Sequence, residues 1–318
     1  MTQNEYREIA SAILKNDWDE KSNIQTGKFS ISQFQGTAFD SDYACYKVCW
    51  SEWAAVDNIL LAQRISYSLV VKIAESQEAN ILKILGQNGF PVPKIGAVLR
   101  NKNGSVMIFM EMLPGEELYS CTDDDAWVNA ITSLSKIHRE FWMSKLNAKI
   151  TIPFSNTTAE KMSCAYSNIA HNSYWKAYMD AVFQRFETAP QTLIHGDMFP
   201  TNILIFQGNC KFVDWANAGF SPYMMDLGRL TAIIDKDTFL PMCPCPEKVI
   251  RAYFENMEPL LQMEYDDFLK DIYMSQFIEL AYFYSPPGFY GHREKYNQTI
   301  EQRLQEIVDF HINSPSGI

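Results

Sequence analysis

No apolar run in the 318 residues approaches the roughly 18 needed to cross a bilayer, so no membrane helix is expected. The opening stretch Met1-Thr2-Gln3-Asn4-Glu5-Tyr6-Arg7-Glu8 is polar and lacks the apolar segment of a signal peptide. Positive charge is also scarce. Lys and Arg number 27 against 38 Asp and Glu, a net charge of −11. That balance argues against nucleic acid as a partner, because phosphate binding needs basic patches. Acidic surfaces mostly serve solubility, but this one leaves room for a cationic small molecule. The seven cysteines are an odd number and read as reduced thiols of a cytoplasmic protein rather than a disulfide framework. Cys243 and Cys245 lie close together, yet no His or further Cys stands at zinc spacing. Internal repeats and low-complexity segments are absent. What remains is a composition ordinary for a globular protein, 47% hydrophobic and 20% charged, long enough for one large domain or two lobes with their own cores.

Against that background one stretch carries chemistry. His195-Gly196-Asp197-Met198-Phe199-Pro200-Thr201-Asn202 is followed by Asp214 in Phe212-Val213-Asp214-Trp215. Asn202-Ile203-Leu204-Ile205-Phe206 and Cys210-Lys211-Phe212-Val213-Asp214 read as two strands around the turn Gln207-Gly208-Asn209. With Gly208 at the centre, Asn202 would lie opposite Asp214, about 5 Å away on one face of the pair. Mg²⁺ prefers oxygen donors and takes only one or two from the protein, so Asn202 and Asp214 suit it. Asp197 could accept a proton from an attacking hydroxyl. The plainer alternative is a hairpin whose Asp and Asn serve only to shape turns.

The rest of the chain divides into two parts. A short amphipathic helix is expected from Asn4 to Leu14, and strands at Lys28-Phe29-Ser30-Ile31-Ser32, Ala44 to Trp50 and Ser68-Leu69-Val70-Val71-Lys72-Ile73. A helix fits Gln77 to Gln87, ended by Asn88-Gly89 and the extended Pro91-Val92-Pro93. A further strand, Ser105 to Met110, runs into Pro114-Gly115, where the chain can leave one lobe for another. From Asp123 onward the pattern is helical. The connection from Ser51 to Tyr67 is long for a hairpin.

These motifs resemble the aminoglycoside phosphotransferase and choline kinase superfamily. Leu193 to Asp197 with Asn202 resembles its catalytic loop, and Phe212-Val213-Asp214-Trp215 with Asp226-Leu227 its metal-binding segment. Phe90-Pro91-Val92-Pro93-Lys94 and Met110-Glu111-Met112-Leu113-Pro114-Gly115 resemble the approach to its interlobe hinge. The resemblance covers roughly residues 28 to 230. It implies an α+β, bilobal, protein-kinase-like fold with a small β-rich N-lobe (1–111) and a larger, mainly helical C-lobe (112–318). It also implies an ATP- or GTP-dependent phosphotransferase moving the γ-phosphate to a hydroxyl of a small molecule, with Mg²⁺ as cofactor. The alternative is a nucleotide-binding pseudoenzyme or regulatory module of the same fold.

The resemblance assigns roles as well. Asp197 is the catalytic carboxylate, and Asn202 and Asp214 are the metal ligands. Lys72 would pair with the nucleotide phosphates, although a lysine on an edge strand can serve merely to discourage aggregation. Glu78 would orient Lys72, with Glu75 as the alternative. The carbonyl of Met110 and the amide of Met112 would bond the base, and Gly36, in Gln35 to Tyr43, belongs to the phosphate-covering loop. His195 and Asp226 hold the catalytic loop in place, and His138, His171, His292 and His311 read as surface or satisfied core histidines. Acceptor-binding residues are unassigned. Asp123, Asp124, Asp125, Glu255, Glu258, Glu264, Asp266 and Asp267 could attract an amine, but the first three also suit a helix start. Tyr282-Phe283-Tyr284 fits either a cleft wall or core.

Overall fold

Strand-forming residues dominate the first hundred positions and helix-forming ones the remainder, and the architecture follows. The computed structural model describes residues 1–15, 23–26, 28–34, 45–56, 59–100, 104–143, 156–285 and 294–313. The chain has an α+β, protein-kinase-like fold with an antiparallel sheet in its N-terminal part and helices in its C-terminal part. It forms two compact units, residues 1–115 with 211–216, and residues 116–210 with 217–318.

The first unit contains α1 (Gln3–Lys15), β1 (Asn23–Thr26), β2 (Phe29–Phe34), β3 (Cys45–Val56), β4 (Ile59–Ala74), α2 (Ser76–Gln87), β5 (Ile95–Arg100) and β6 (Val106–Glu111). Its six strands are ordered β1-β2-β3-β4-β6-β5, each antiparallel to its neighbours. Alternate residues of a strand face opposite sides. One side carries Phe29, Ile31, Val48, Trp50, Val71 and Phe109, which bury the apolar stripe Tyr6, Ile9, Ala10 and Ile13 of α1. Residues 51–56 and 59–67, in a connection too long for a simple hairpin by sequence, continue the β3–β4 ladder, with Ser51 opposite Ser66 and Val56 opposite Ile59. An irregularity between Glu52 and Ala54 interrupts the register.

The second unit is built from β7 (Glu116–Glu117), α3 (Asp124–Glu140), α4 (Asn156–Ile169), α5 (Ser173–Thr188), β8 (Gln191–Ile194), β9 (Ile203–Phe206), the start of β10 (Asn209–Phe212), β11 (Gly219–Pro222), α6 (Met224–Ala232), α7 (Pro246–Leu261), α8 (Tyr265–Phe283) and α9 (Glu294–Asn313). Asp123 caps α3 by accepting from the Asp125 amide at 3.1 Å, and Asn172 caps α5 through the amides of Tyr174 and Trp175. The turn between β9 and β10 has Gln207 and Gly208 both left-handed (φ 50° and 74°), the requirement of a two-residue hairpin loop. Helix α8 lies against α4, α6 and α9 and is buried on most sides. Its contact with α6 is close. A Cβ at Gly228 would fall 2.1 Å from Ser275 Oγ and 2.9 Å from the Ser275 backbone carbon.

That approach sets the spacing of α6 and α8, so Gly228→Ala should lower the unfolding free energy by about 1–3 kcal/mol through overpacking. Urea denaturation followed by circular dichroism measures it, and an unchanged midpoint would show that α8 yields without cost.

Candidate active site

In the first unit, Lys72 lies on β4, paired with Cys45 of β3 on one side and Ile108 of β6 on the other. It therefore sits inside the sheet, which removes the edge-strand explanation. Its neighbour Val71 enters the core under α1, so Lys72 projects from the opposite face. The side chain is buried, and a lone buried ammonium would be costly. Two carboxylates compensate it: Nζ donates to Glu78 Oε1 and to Asp214 Oδ1, each at 2.8 Å. Burial pulls the Lys72 pKa down, but the charges of Glu78 and Asp214 outweigh it and hold the ammonium above its ordinary value. Burial raises the Glu78 carboxyl above its usual range, offset only in part by Lys72. Glu75 stands at the N-cap of α2, and Glu78, one turn in, is the residue that pairs.

Asp214 arrives at Lys72 on a strap from far along the chain. Within residues 211–216 the Phe212 amide donates to the Pro91 carbonyl at 2.8 Å. Lys211 Nζ donates to the Val92 carbonyl at 2.9 Å and pairs with Glu111 at 3.1 Å. The fully buried Trp215 donates its indole N–H to the Phe212 carbonyl at 3.1 Å. Asp214 itself is left-handed, φ 64°, a conformation Asp tolerates better than most residues. Met110 is buried in the β6 ladder. The Met112 side chain is 40% exposed, but its amide already donates to the Ser68 carbonyl at 3.3 Å, so it is not a free donor for a base. Gly36 and its loop lie outside the described residues.

In the second unit, β8 delivers the chain to His195, and the loop is fastened by Asp226 of α6. This completely buried carboxylate accepts the amides of His195 at 2.6 Å and Gly196 at 2.9 Å. His138 Nε2 lies 3.3 Å from the same carboxylate, and its Nδ1 is 2.7 Å from the Tyr253 hydroxyl. Burial raises the Asp226 pKa, yet the hydrogen bond and charge of His138 together with His195 outweigh it, leaving the group below its ordinary value. Gly196 has φ 80°, and a Cβ there would fall 2.2 Å from the Asn217 carbonyl oxygen. His195 is itself buried and accepts the Asp197 amide on Nδ1 at 3.3 Å, a loop-holding role.

Asp197 emerges from this loop with both carboxylate oxygens engaged. Oδ1 accepts from Arg229 Nη2 at 2.5 Å, and Oδ2 accepts from Asn202 Nδ2 at 3.3 Å. The same Asn202 nitrogen donates to the Asp197 carbonyl at 2.9 Å. That use of the amide nitrogen leaves the Asn202 carbonyl oxygen as the atom able to meet a cation. Asn202 closes the 3-10 turn Pro200–Asn202 before β9, and Asp214 follows the end of β10 by two residues. Neither belongs to the strand ladder, so the pairing expected from a simple hairpin does not place them. Each by itself offers a hard oxygen donor of the kind Mg²⁺ prefers.

Three residues of this neighbourhood lie outside the motifs the sequence offers: Arg229, Glu279 and Lys161. Arg229 could have been suspected, because it follows Asp226 by one helical turn and so shares its face. The acidic acceptor candidates lie elsewhere. Asp123 is the α3 cap, Asp124 pairs with Lys248 at 2.6 Å, and Glu255 and Glu258 are exposed. Asp266 and Asp267 stand in the first turn of α8, about 18–20 Å along its axis from Glu279. Tyr284 is core, whereas Phe283 stands 6.2 Å from the Phe199 ring.

A loop fastened behind a carboxylate and a sheet lysine held by two acids are features of a kinase-like phosphotransferase. The sequence profile of the phosphotransferase enzyme family matches residues 59–255, and the chain belongs to that family. No curated protein matches it in a sequence search. Among solved structures, the amicoumacin kinase hAmiN, in complex with AMP-PNP, Ca²⁺ and Ami, is 13% identical with a TM-score of 0.57, covering 98% of this chain and 94% of that one. Choline kinase from Cryptosporidium parvum Iowa II is 12% identical with a TM-score of 0.55 (96% and 95% covered). Spectinomycin phosphotransferase APH(9)-Ia, in complex with ADP and spectinomycin, is 12% identical with a TM-score of 0.53 (88% and 91%). At these identities the likeness shows the fold.

Asp226 generates a prediction with a definite sign. Because its folded pKa is depressed, its stabilisation is present above the ordinary carboxylate value of about 4 and is lost as pH falls through the folded value. Asp226→Asn can still accept one amide but not two, and should cost about 1–3 kcal/mol at pH 7. The variant should also lose part of the acid sensitivity seen in wild-type unfolding. Urea titrations at pH 7 and pH 3.5 measure both effects.

Proposed function

We propose that this protein transfers the γ-phosphoryl group of ATP or GTP to a hydroxyl of a small molecule. The observation that carries the reading is the Lys72 ammonium, buried in the sheet and held at 2.8 Å by both Glu78 and Asp214. A lysine fixed in this way presents a positive charge where a nucleotide is most anionic, next to an acid that can share its metal. On this reading residues 1–111 hold the nucleotide, aided by the strap that carries Asp214, and residues 112–318 hold the acceptor. The base would lie against the end of β6 and use the Met110 carbonyl.

Lys72 would exchange part of its bond to Asp214 for the α- and β-phosphates. Asn202 Oδ1 and the Asp214 carboxylate would hold Mg²⁺, which supplies charge to the β- and γ-phosphate oxygens when bound. Asp197 accepts a hydrogen bond from the acceptor hydroxyl and aims its oxygen at the γ-phosphorus. Its carboxylate is already bonded by Arg229 and Asn202, so its contribution is orientation more than proton abstraction. Around it, Asp197, Arg229, Glu279 and Lys161 form three linked ion pairs whose two positive and two negative charges cancel, which favours a cationic acceptor no more than a neutral one. The thiols of Cys49, Cys121, Cys164, Cys210, Cys243 and Cys245 are unbridged and fit a reducing compartment such as the cytoplasm.

The test is a nucleotide-consumption screen with ATP and GTP across aminoglycosides, macrolides, amino alcohols, sugars and nucleosides, using Asp197→Ala as the blank. Asp197→Ala should reduce kcat by about 10²–10⁴-fold and spare nucleotide binding. Asp214→Ala should weaken Mg-nucleotide binding as well, read by calorimetry with AMP-PNP. Full activity in either variant would sink the assignment. Nucleotide binding without transfer to any acceptor would favour a regulatory module instead.

A further inference from the structure

We infer that Arg229 is a positioning residue for Asp197, bridging it to Glu279 so that the carboxylate faces an acceptor hydroxyl in one direction. The inference rests on the reading of Asp197 as the acceptor-facing group. Arg229 Nη2 donates to Asp197 Oδ1, and Nη1 donates to Glu279 Oε2 at 2.6 Å. Glu279 is completely buried, and its other oxygen accepts from Lys161 Nζ at 2.7 Å. The four charges come from the loop after β8, α6, α8 and α4, so the guanidinium of α6 ties the loop to α8, and Glu279 carries the link on to α4.

The geometry selects arginine rather than any cation. A guanidinium is a planar fork that can bond two carboxylates at once, whereas an ammonium is a point charge. The plane is also packed, with the Phe199 ring centre 4.1 Å and the Phe283 ring centre 5.6 Å from the guanidinium carbon. Nε, buried, has no hydrogen-bond partner among the described residues. Orientation therefore comes from the two carboxylates and the two rings. Arg229 is nearly inaccessible, while the Asp197 side chain is 24% exposed. The accessible member of the pair is the one that would meet an acceptor.

The competing account is that Arg229 merely compensates Glu279 in the core. Arg229→Lys separates the two, since it keeps a positive charge beside Glu279 and loses the fork. The full chain is assayed with Mg-ATP and Mg-GTP, water serving as acceptor. The expected result is a loss of kcat of about tenfold to a hundredfold, with nucleotide KM unchanged and circular dichroism that of the wild type. A second readout needs no turnover. The Asn202 side-chain amide resonance, assigned by its loss in Asn202→Ala, should shift in Arg229→Lys because Asn202 bonds the same carboxylate.

Unchanged kcat, a loss confined to KM, or a fall in kcat with the Asn202 resonance unmoved overturns the inference. If Arg229→Lys does not fold, Glu279→Gln loosens the far anchor with Arg229 intact, and the same two readouts decide. If the wild type consumes no nucleotide, the phosphotransfer reading falls, while the Asn202 resonance still decides whether Arg229 holds Asp197.

Discussion

The Asp226 carboxylate is almost completely buried, and a charge in that position survives only if both of its oxygens are hydrogen-bonded. Two backbone amides of the loop and the imidazole of His138 supply those uses. The constraint works in both directions. The loop can bury its amides because a carboxylate is waiting, and α6 can bury its acid because the loop is folded. The left-handed turn at Gly196, the closeness to Asn217 and the direction in which Asp197 leaves the loop all follow from that mutual requirement.

Similar logic governs two other buried charge groups. In one unit Lys72 is shared between two acids, and in the other Glu279 is shared between two bases. Each group leaves one charged member accessible, Asp214 in the first and Asp197 in the second, and these are the residues to which the proposed reading gives chemistry. Charge pairs of this kind add little to stability compared with apolar packing of the same volume. Their value lies in fixing where an oxygen points.

Much of this was legible in the sequence because it is local. Asp123 announces a helix start, the β-branched run around Lys72 announces a strand, and His195 to Asp214 announces the loop. The setting of Asn202 and Asp214 was less so. It depends on a 3-10 turn at Pro200 and a left-handed Asp214, choices that strand propensity cannot express. The partners of Asp197 were illegible for a different reason. Arg229 and Glu279 are 50 residues apart and Lys161 is 118 from Glu279, and nothing in the separate segments reports that α4, α6 and α8 meet. Likewise, the passage of residues 211–216 into the first unit is a tertiary fact.

The order in which these contacts occur along the chain has a consequence for synthesis. The loop from His195 leaves the ribosome 31 residues ahead of the acid that fastens it, and Arg229 emerges 50 residues ahead of Glu279. A nascent chain halted between α7 and α8 would already display the entire phosphotransfer motif, with Asp197 lacking its anchored arginine. On the reading proposed above, the backing of Asp197 waits for Glu279 of α8, and a fragment ending before it would be inert for want of backing rather than of chemistry.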